Sequence, residues 1–494
     1  MTAGRTYSLE PLDKTGVMLG YGVRELAVVG AGLFVTIFLR LAGLPGLYAV
    51  VPFALSFAVA KAKVGSRPAL EWVPLLAGWA AAGVTGRRQW SAPLPLLPTT
   101  NPVLPPALRG IEVVEVPAGP DGHTVAAVAT HQGRRLTAVL PVRGSQFAAL
   151  DPDGQDGLLD GWGGVLSGFA DVASPVVQIG WSEMAVPDDL TGHRAWCDEH
   201  ISAVGVGAGD PDGYLDLVDE LAGVATARQV VVWITIDGQN VHDARGRAAT
   251  RAAAHLPIAV DDLEAALADA GLATSGPLTA AGLRQLLRDR LDPSDRAGTG
   301  GAGPGTLAER LGLVDAHDAG PLAVATAWSQ VRIDATFHRT FWVSSWPRRP
   351  VTADWLGGFL VAGATRAMTV IHFPLDPSTS QRRIESQLAK LAAHKERKHE
   401  KDRRVTEQDL RTEDAVHALE AEVASGHSEV LYLGLLTVSA PSLDALDDAS
   451  RHVIQSARSH GLGLRVLHGR QDVAWAATLP FGLVDPGLLE VMGL

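Results

Sequence analysis

A length of 494 residues leaves room for two or three domains, and a formal charge of −12 argues against a nucleic-acid-binding body, which needs a basic face. Nine basic and four acidic residues through Thr99 leave about −17 on the remainder, a balance compatible with a protein partner. The single cysteine, Cys197, excludes an intramolecular disulfide and fits a reducing cytosol.

Residues 1–25 form an N-terminal tail. Leu26 to Ala60 then carries one charged side chain, Arg40, and a Gly-Leu-Pro-Gly turn at Gly43–Gly46. About 20 apolar residues span a bilayer, so this run is long enough for two short helices and Pro45 stops one continuous helix. The pattern predicts a transmembrane hairpin over 26–60. Basic residues flank both ends and none sits in the turn, which places the N-terminus and the large C-terminal part in the cytoplasm of a multi-pass protein of the inner (plasma) membrane. Residues 68–90 read as a juxtamembrane interfacial helix, with Trp72 and Trp79 on one face and Arg87, Arg88 and Trp90 following. A third span over residues 70–86 is the alternative to the interfacial helix. The Pro-rich stretch 91–107 is a stiff linker.

A cytoplasmic α/β domain is predicted over 108–330. It opens with three short strands (Ile111–Val116, Thr124–Thr130, Leu136–Val142), followed by alternating helices and strands that include the apolar run Val230–Ile236. Residues 331–494 repeat strand–helix–strand twice. This predicts a split β-α-β, ferredoxin-like sheet with a helical arm at 380–425 inserted between its halves. Within the arm, Arg382–Arg404 holds nine basic and four acidic residues, a pattern of two packed, solvated helices or of an arm that contacts a partner. The predicted class is therefore α+β or α/β behind a membrane hairpin.

Chemistry is sparse. A phosphate-binding loop needs a lysine after glycine and before Ser or Thr, and none of the seven lysines follows a glycine. His193, Cys197 and His200 fall at i, i+4 and i+7 of one helix, the spacing of three zinc ligands, but no fourth His or Cys is near in sequence. Asp151, Asp153, Asp156 and Asp160 lack the order and final Glu of a calcium loop and read as a turn before a helix. Trp162 within Gly161–Gly164 reads as a core anchor. Trp342 and Trp346 share one face of a strand that leads into Arg348 and Arg349, a candidate docking surface. No catalytic residue, cofactor or metal is predicted.

The segments Arg339–Pro347 and Ala364–Pro377, the charged arm and Gln471–Pro480 resemble, in order, the non-ATPase N-terminal part of conjugation-type (type IV) secretion ATPases. The predicted hairpin and interfacial helix resemble the small PrgI-like subunit that accompanies those ATPases. Together with Gly161–Gly164, the combination is similar to an actinobacterial family of integral membrane proteins. After Pro480, where the motor domain would begin in that family, the chain runs only to Leu494. The resemblance implies a non-enzymatic inner-membrane scaffold for protein secretion or conjugation. Its partners would be the lipid bilayer, a separately encoded ATPase and other channel subunits, in an oligomeric assembly without direct nucleic-acid binding. An EccE-like subunit of a type VII secretion system is the alternative, and a membrane-bound enzyme with a His/Cys metal site is a third reading.

Overall fold

The computed structural model describes residues 23–43, 45–46, 50–64, 67–92, 104–119, 123–143, 147–171, 174–188, 190–204, 211–222, 225–241, 246–293, 320–347, 349–360, 364–400, 410, 413–414, 416–417, 419–421 and 429–492. Most of the N-terminal tail (1–22), most of the linker (93–103), the glycine-rich loop at 297–305, Arg348 and the turn of the arm (401–409) lie outside the described residues. Two compact units divide the chain. One takes 12–87 and 381–421, the other 1–11, 88–380 and 422–494.

The first unit begins with α1 (Val23–Leu41), α2 (Val51–Lys61) and α3 (Ala69–Val84), with a two-residue ladder β1 (Lys63–Val64) and β2 (Arg67–Pro68) before α3. α1 and α2 pack closely because Gly32 has no side chain; a Cβ there would collide with the side chain of Ser56. This pair replaces the predicted transmembrane hairpin. α1 includes Arg24, Glu25 and Arg40, leaving an uncharged stretch of 14 residues. α2 has 11 residues, about 16 Å at 1.5 Å per residue, against a hydrocarbon core of about 30 Å. α3 has 16 residues and contains Glu71 and Pro74. No helix among the described residues is long and apolar enough to cross a membrane. That finding overturns the expected multi-pass topology, the plasma-membrane localisation and the cytoplasmic orientation derived from it, and the secretion vocabulary attached to them loses its footing. Phe34, Phe38 and Leu55 nonetheless remain exposed on α1 and α2.

The second unit is built on one 13-stranded sheet whose pairings are all antiparallel. The edge strand β3 (Gln89–Ser91) is followed by β4 (Glu112–Pro117), β5 (Thr124–Thr130), β6 (Arg135–Arg143), α4 (Pro152–Gly168) and β7 (Val176–Pro187). Next come α5 (Thr191–Val204), α6 (Pro211–Leu221), β8 (Thr226–Asp237), α7 (Ala248–Asp269), β9 (Ala273–Thr274) and α8 (Ala280–Leu291). The chain then repeats itself: β10 (Ala323–Thr326), β11 (Val331–Ile333), β12 (Thr336–Ser345), α9 (Gly357–Leu360), β13 (Arg366–Pro374), α10 (Pro377–Glu400, of which 381–400 belong to the first unit), β14 (Val430–Ala440), α11 (Leu443–Ser459), β15 (Gly463–Val466) and α12 (Gln471–Ala477). A short helix α13 (Pro486–Met492) ends it.

Each half has the order strand, helix, strand, helical insertion, strand, helix, strand. In space the strands lie as β9-β6-β8-β7 and β15-β12-β14-β13, the fourth-first-third-second arrangement of a split β-α-β unit. In both halves a preceding hairpin pairs the start of the first strand while the fourth strand pairs its end. Thr137 and Thr235, direct partners in the first half, share a 2.9 Å hydrogen bond; Thr340 and Thr437 do the same, at 2.9 Å, in the second. The halves join through β7 and β13, with Trp181 opposite Val370. The predicted fold class is thus corrected: the last third is no separate domain behind a membrane anchor but half of a continuous, mostly antiparallel sheet.

Both faces of the sheet are covered, which is why its strands read as near-continuous apolar runs. On one face a single core unites Val139, Val231 and Trp233 with Ile371, Leu433 and Leu435 under Trp475 and Phe481. The chain after α12 straps this face. Thr369 donates to the carbonyl of Thr478 at 3.0 Å and Thr137 to that of Phe481 at 3.3 Å, one contact in each half. On the other face each half has its own core, one under α4 and α7 and one under α9 and α11, and Trp181 packs against both.

Candidate functional site

α5 and α6 are inserted between the second and third strands of the first half. Asp188 opens the insertion, its carboxylate accepting from the Leu190 N–H at 3.0 Å and its own N–H donating to the Ala225 carbonyl at 3.0 Å. That second bond closes the base of a helical hairpin. Pro211 begins α6, where a missing N–H costs nothing. Among the described residues of the hairpin, Cys197 and Val218 are buried and Leu215 is half-buried.

The opposite side gathers four large exposed side chains. Trp196 is 55% exposed, Tyr214 45%, Leu217 47% and Leu221 44%. Tyr214, Leu217 and Leu221 fall on one stripe of α6 at i, i+3 and i+7. The rings form a continuous ladder. His200 stacks on Trp196 with centroids 4.2 Å apart, Trp196 stacks on His193 at 6.2 Å, and His193 meets Tyr214 edge-on at 6.1 Å with a 2.8 Å hydrogen bond between Nε2 and the phenol oxygen. Asp216 and Glu220 flank the α6 stripe, and Arg194 is engaged in a salt bridge with Asp219. Such an arrangement offers stacking area and acidic charge.

The metal triplet separates. His193 Nε2 lies 3.6 Å from Cys197 Sγ but is also bonded to Tyr214, and His200 donates from Nδ1 to the Trp196 carbonyl at 2.9 Å. Among the described residues no group of three His, Cys, Asp or Glu could hold a metal ion. The docking pair also separates. A bulge between Val343 and Ser345 switches the alternation of β12. Trp342 stays half-buried on the strap face with the Arg465 guanidinium 5.9 Å from its ring, whereas Trp346 turns to the helix face against Tyr432, at 5.3 Å, and Trp355. Arg349 is exposed and Arg348 is outside the described residues. Of the interfacial set, Trp72 and Trp79 flank the buried Leu75 on the less exposed stripe of α3, Arg87 is exposed, and Trp90 lies in β3, paired with Val324.

The remaining polar singularities are structural. Trp162 packs into the first-half core and meets His372 at 5.8 Å, while Gly161 lets α4 approach Ala270, only 3.0 Å from where its Cβ would be. Asp151 caps α4 by accepting from Gly154 N at 2.9 Å. At the seam between the halves, the buried Glu183 sits 3.9 Å from Arg366 and 3.5 Å from Arg228. Burial pushes its carboxyl above the usual value, and the charges of Arg366, Arg228 and Arg290 pull it part of the way back. His338 is fully buried between the Ser439 hydroxyl, 2.8 Å away, and the Leu291 carbonyl, 3.1 Å away. Burial lowers it to about 4, and lowers His372 likewise to about 4.

Trp196, Tyr214, Leu217 and Leu221 escape a reading of the sequence that seeks catalytic patterns. Their signal is that the apolar arc of α6, which also includes Leu215 and Val218, is wider than a single packed face of so short a hairpin requires. No protein-family model matches this chain, and no curated protein matches it either.

Proposed function

We propose that this chain is a non-enzymatic docking subunit that seats a separately encoded ATPase. The observation that carries the docking part is the exposed Trp196–Tyr214–Leu217–Leu221 face of the α5–α6 hairpin, an aromatic and leucine surface of the kind that anchors protein interfaces. The missing phosphate-binding lysine supports a role beside a motor rather than as one. The choice of an ATPase rests on the resemblance of Arg339–Pro347, the charged arm and Gln471–Pro480 to the region that precedes such motors. The test is a photo-crosslinker placed at position 196 in the native host. An ATPase recovered in the crosslinked product supports the reading, and recovery of the chain alone at every crosslinking time contradicts it.

A further inference from the structure

We infer that the α5–α6 hairpin takes a basic amphipathic helix of its partner as the third member of a helical bundle. The inference rests on the docking reading and adds the chemistry of what docks. The two helices present one apolar shoulder formed by both, Trp196 from α5 and Tyr214, Leu217 and Leu221 from α6, joined through His193. A shoulder between helices is filled by a third helix bearing anchors at i, i+3 or i+4 and i+7; the hairpin itself offers no strand edge to an extended peptide.

The charge decides the sign of the partner. Residues 191–221 contain seven acidic side chains and one arginine, Arg194, and that arginine is already held by Asp219. Asp216 and Glu220 lie beside the leucine stripe, where Lys or Arg on the flank of an incoming helix would reach them. A second copy of this hairpin would bring like charges together, so self-docking through this face is disfavoured.

The experiment measures fluorescence anisotropy of labelled peptides with the full chain. The probes are a ~18-residue helix of Leu, Ala and Arg with period-3.6 leucines, its Glu counterpart, and the Arg peptide with its leucines scrambled. The Arg peptide is expected to bind, the other two not, and the affinity to fall about tenfold on raising salt from 50 to 500 mM. Trp196→Ala should weaken it at least tenfold, and Asp216→Asn with Glu220→Gln by a smaller factor. Leu217→Glu, on an exposed position where misfolding is no concern, should abolish it with an unchanged thermal melt. Equal binding of the Glu peptide, or binding indifferent to Trp196→Ala and Leu217→Glu, would overturn the inference. So would sedimentation showing a dimer that Leu217→Glu dissolves, since a second copy would then be the occupant. An ATPase crosslinked at position 196 without Arg-peptide binding overturns this chemistry and leaves the docking reading intact; Arg-peptide binding without any ATPase does the reverse.

Discussion

Both halves of the sheet break between their second and third strands to admit helices, and the two insertions treat their apolar side chains in opposite ways. In the second half, Ile384, Leu391 and Val416 of the arm are buried, Lys395 pairs with Glu413, and Leu410 alone of its large hydrophobics is exposed among the described residues. In the first half, Cys197 and Val218 are buried while Trp196, Tyr214, Leu217 and Leu221 face solvent. An insertion at the same topological position can therefore bury its apolar side chains, and nothing in the sheet requires the α5–α6 hairpin to expose its own. Exposed aromatic area that folding does not explain is the mark of a site.

Acid should separate the halves most strongly. His338 and His372, both in the second half, titrate near 4 when folded and near 6.5 when unfolded, because burial disfavours their charged forms. Between pH 6.5 and 4 the unfolded chain binds protons that the folded one refuses, so stability present above 6.5 is lost as pH falls, by about 3 kcal/mol per histidine. In the first half Asp237 sets a lower threshold. Burial raises its pKa, but the hydrogen bond from Arg135 at 2.8 Å, the Gln239 N–H and the nearby Arg134 outweigh that and hold it below the ordinary value. Its contribution persists above the unfolded value and goes only as pH falls further, through the folded one. Hydrogen exchange read by mass spectrometry at pH 4.5 should show β12–β14 opening before β6–β8; simultaneous opening would mean the halves do not differ in this way.

β7 and β13 pair along the seam between the halves. Glu183→Ala leaves Arg366 buried without its carboxylate and is expected to cost 3–5 kcal/mol, roughly, in urea unfolding. A loss below about 1 kcal/mol would show that the pair at 3.9 Å is incidental. The insertions themselves give the sharpest contrast. Leu391→Ala should destabilise by about 2–5 kcal/mol, as truncation of a buried leucine does. Trp196→Ala should change stability by no more than about 0.5 kcal/mol, as an exposed substitution does. Equal costs at the two sites would erase the comparison.

Individual strands were legible in the sequence: the apolar run Val230–Ile236 lies inside β8, and Glu429–Val438 closely matches β14. The duplication was not, because its evidence is the pairing of Trp181 with Val370 and the matched threonine pairs, contacts between residues far apart in sequence with no local pattern. Trp346 faces away from Trp342 across the bulge between Val343 and Ser345, which strict alternation cannot anticipate. The predicted membrane hairpin failed on lengths: counting apolar residues over 26–60 ignored that Arg24, Glu25 and Arg40 fall within one helix and that the other has only 11 residues. One detail lay beyond any sequence reading. The gap between β11 and β15 along β12 is filled by the Gln471 side chain, which accepts from Thr340 N at 2.8 Å and donates to Thr340 O at 3.1 Å. The candidate site was only half legible. His193, Cys197 and His200 drew notice as metal ligands, and the structure makes the two histidines rungs of an aromatic ladder and buries the cysteine beneath it.

The central claim is that the outward face of the α5–α6 hairpin exists for a partner and not for the fold. The affinity of the ATPase captured at position 196 for the chain carrying Trp196→Ala and Tyr214→Ala, with its melting temperature recorded alongside, tests this most directly. A loss of affinity of about 100-fold or more at an unchanged melting temperature is the predicted result. Undiminished affinity, or a melting temperature that falls together with binding, would contradict it.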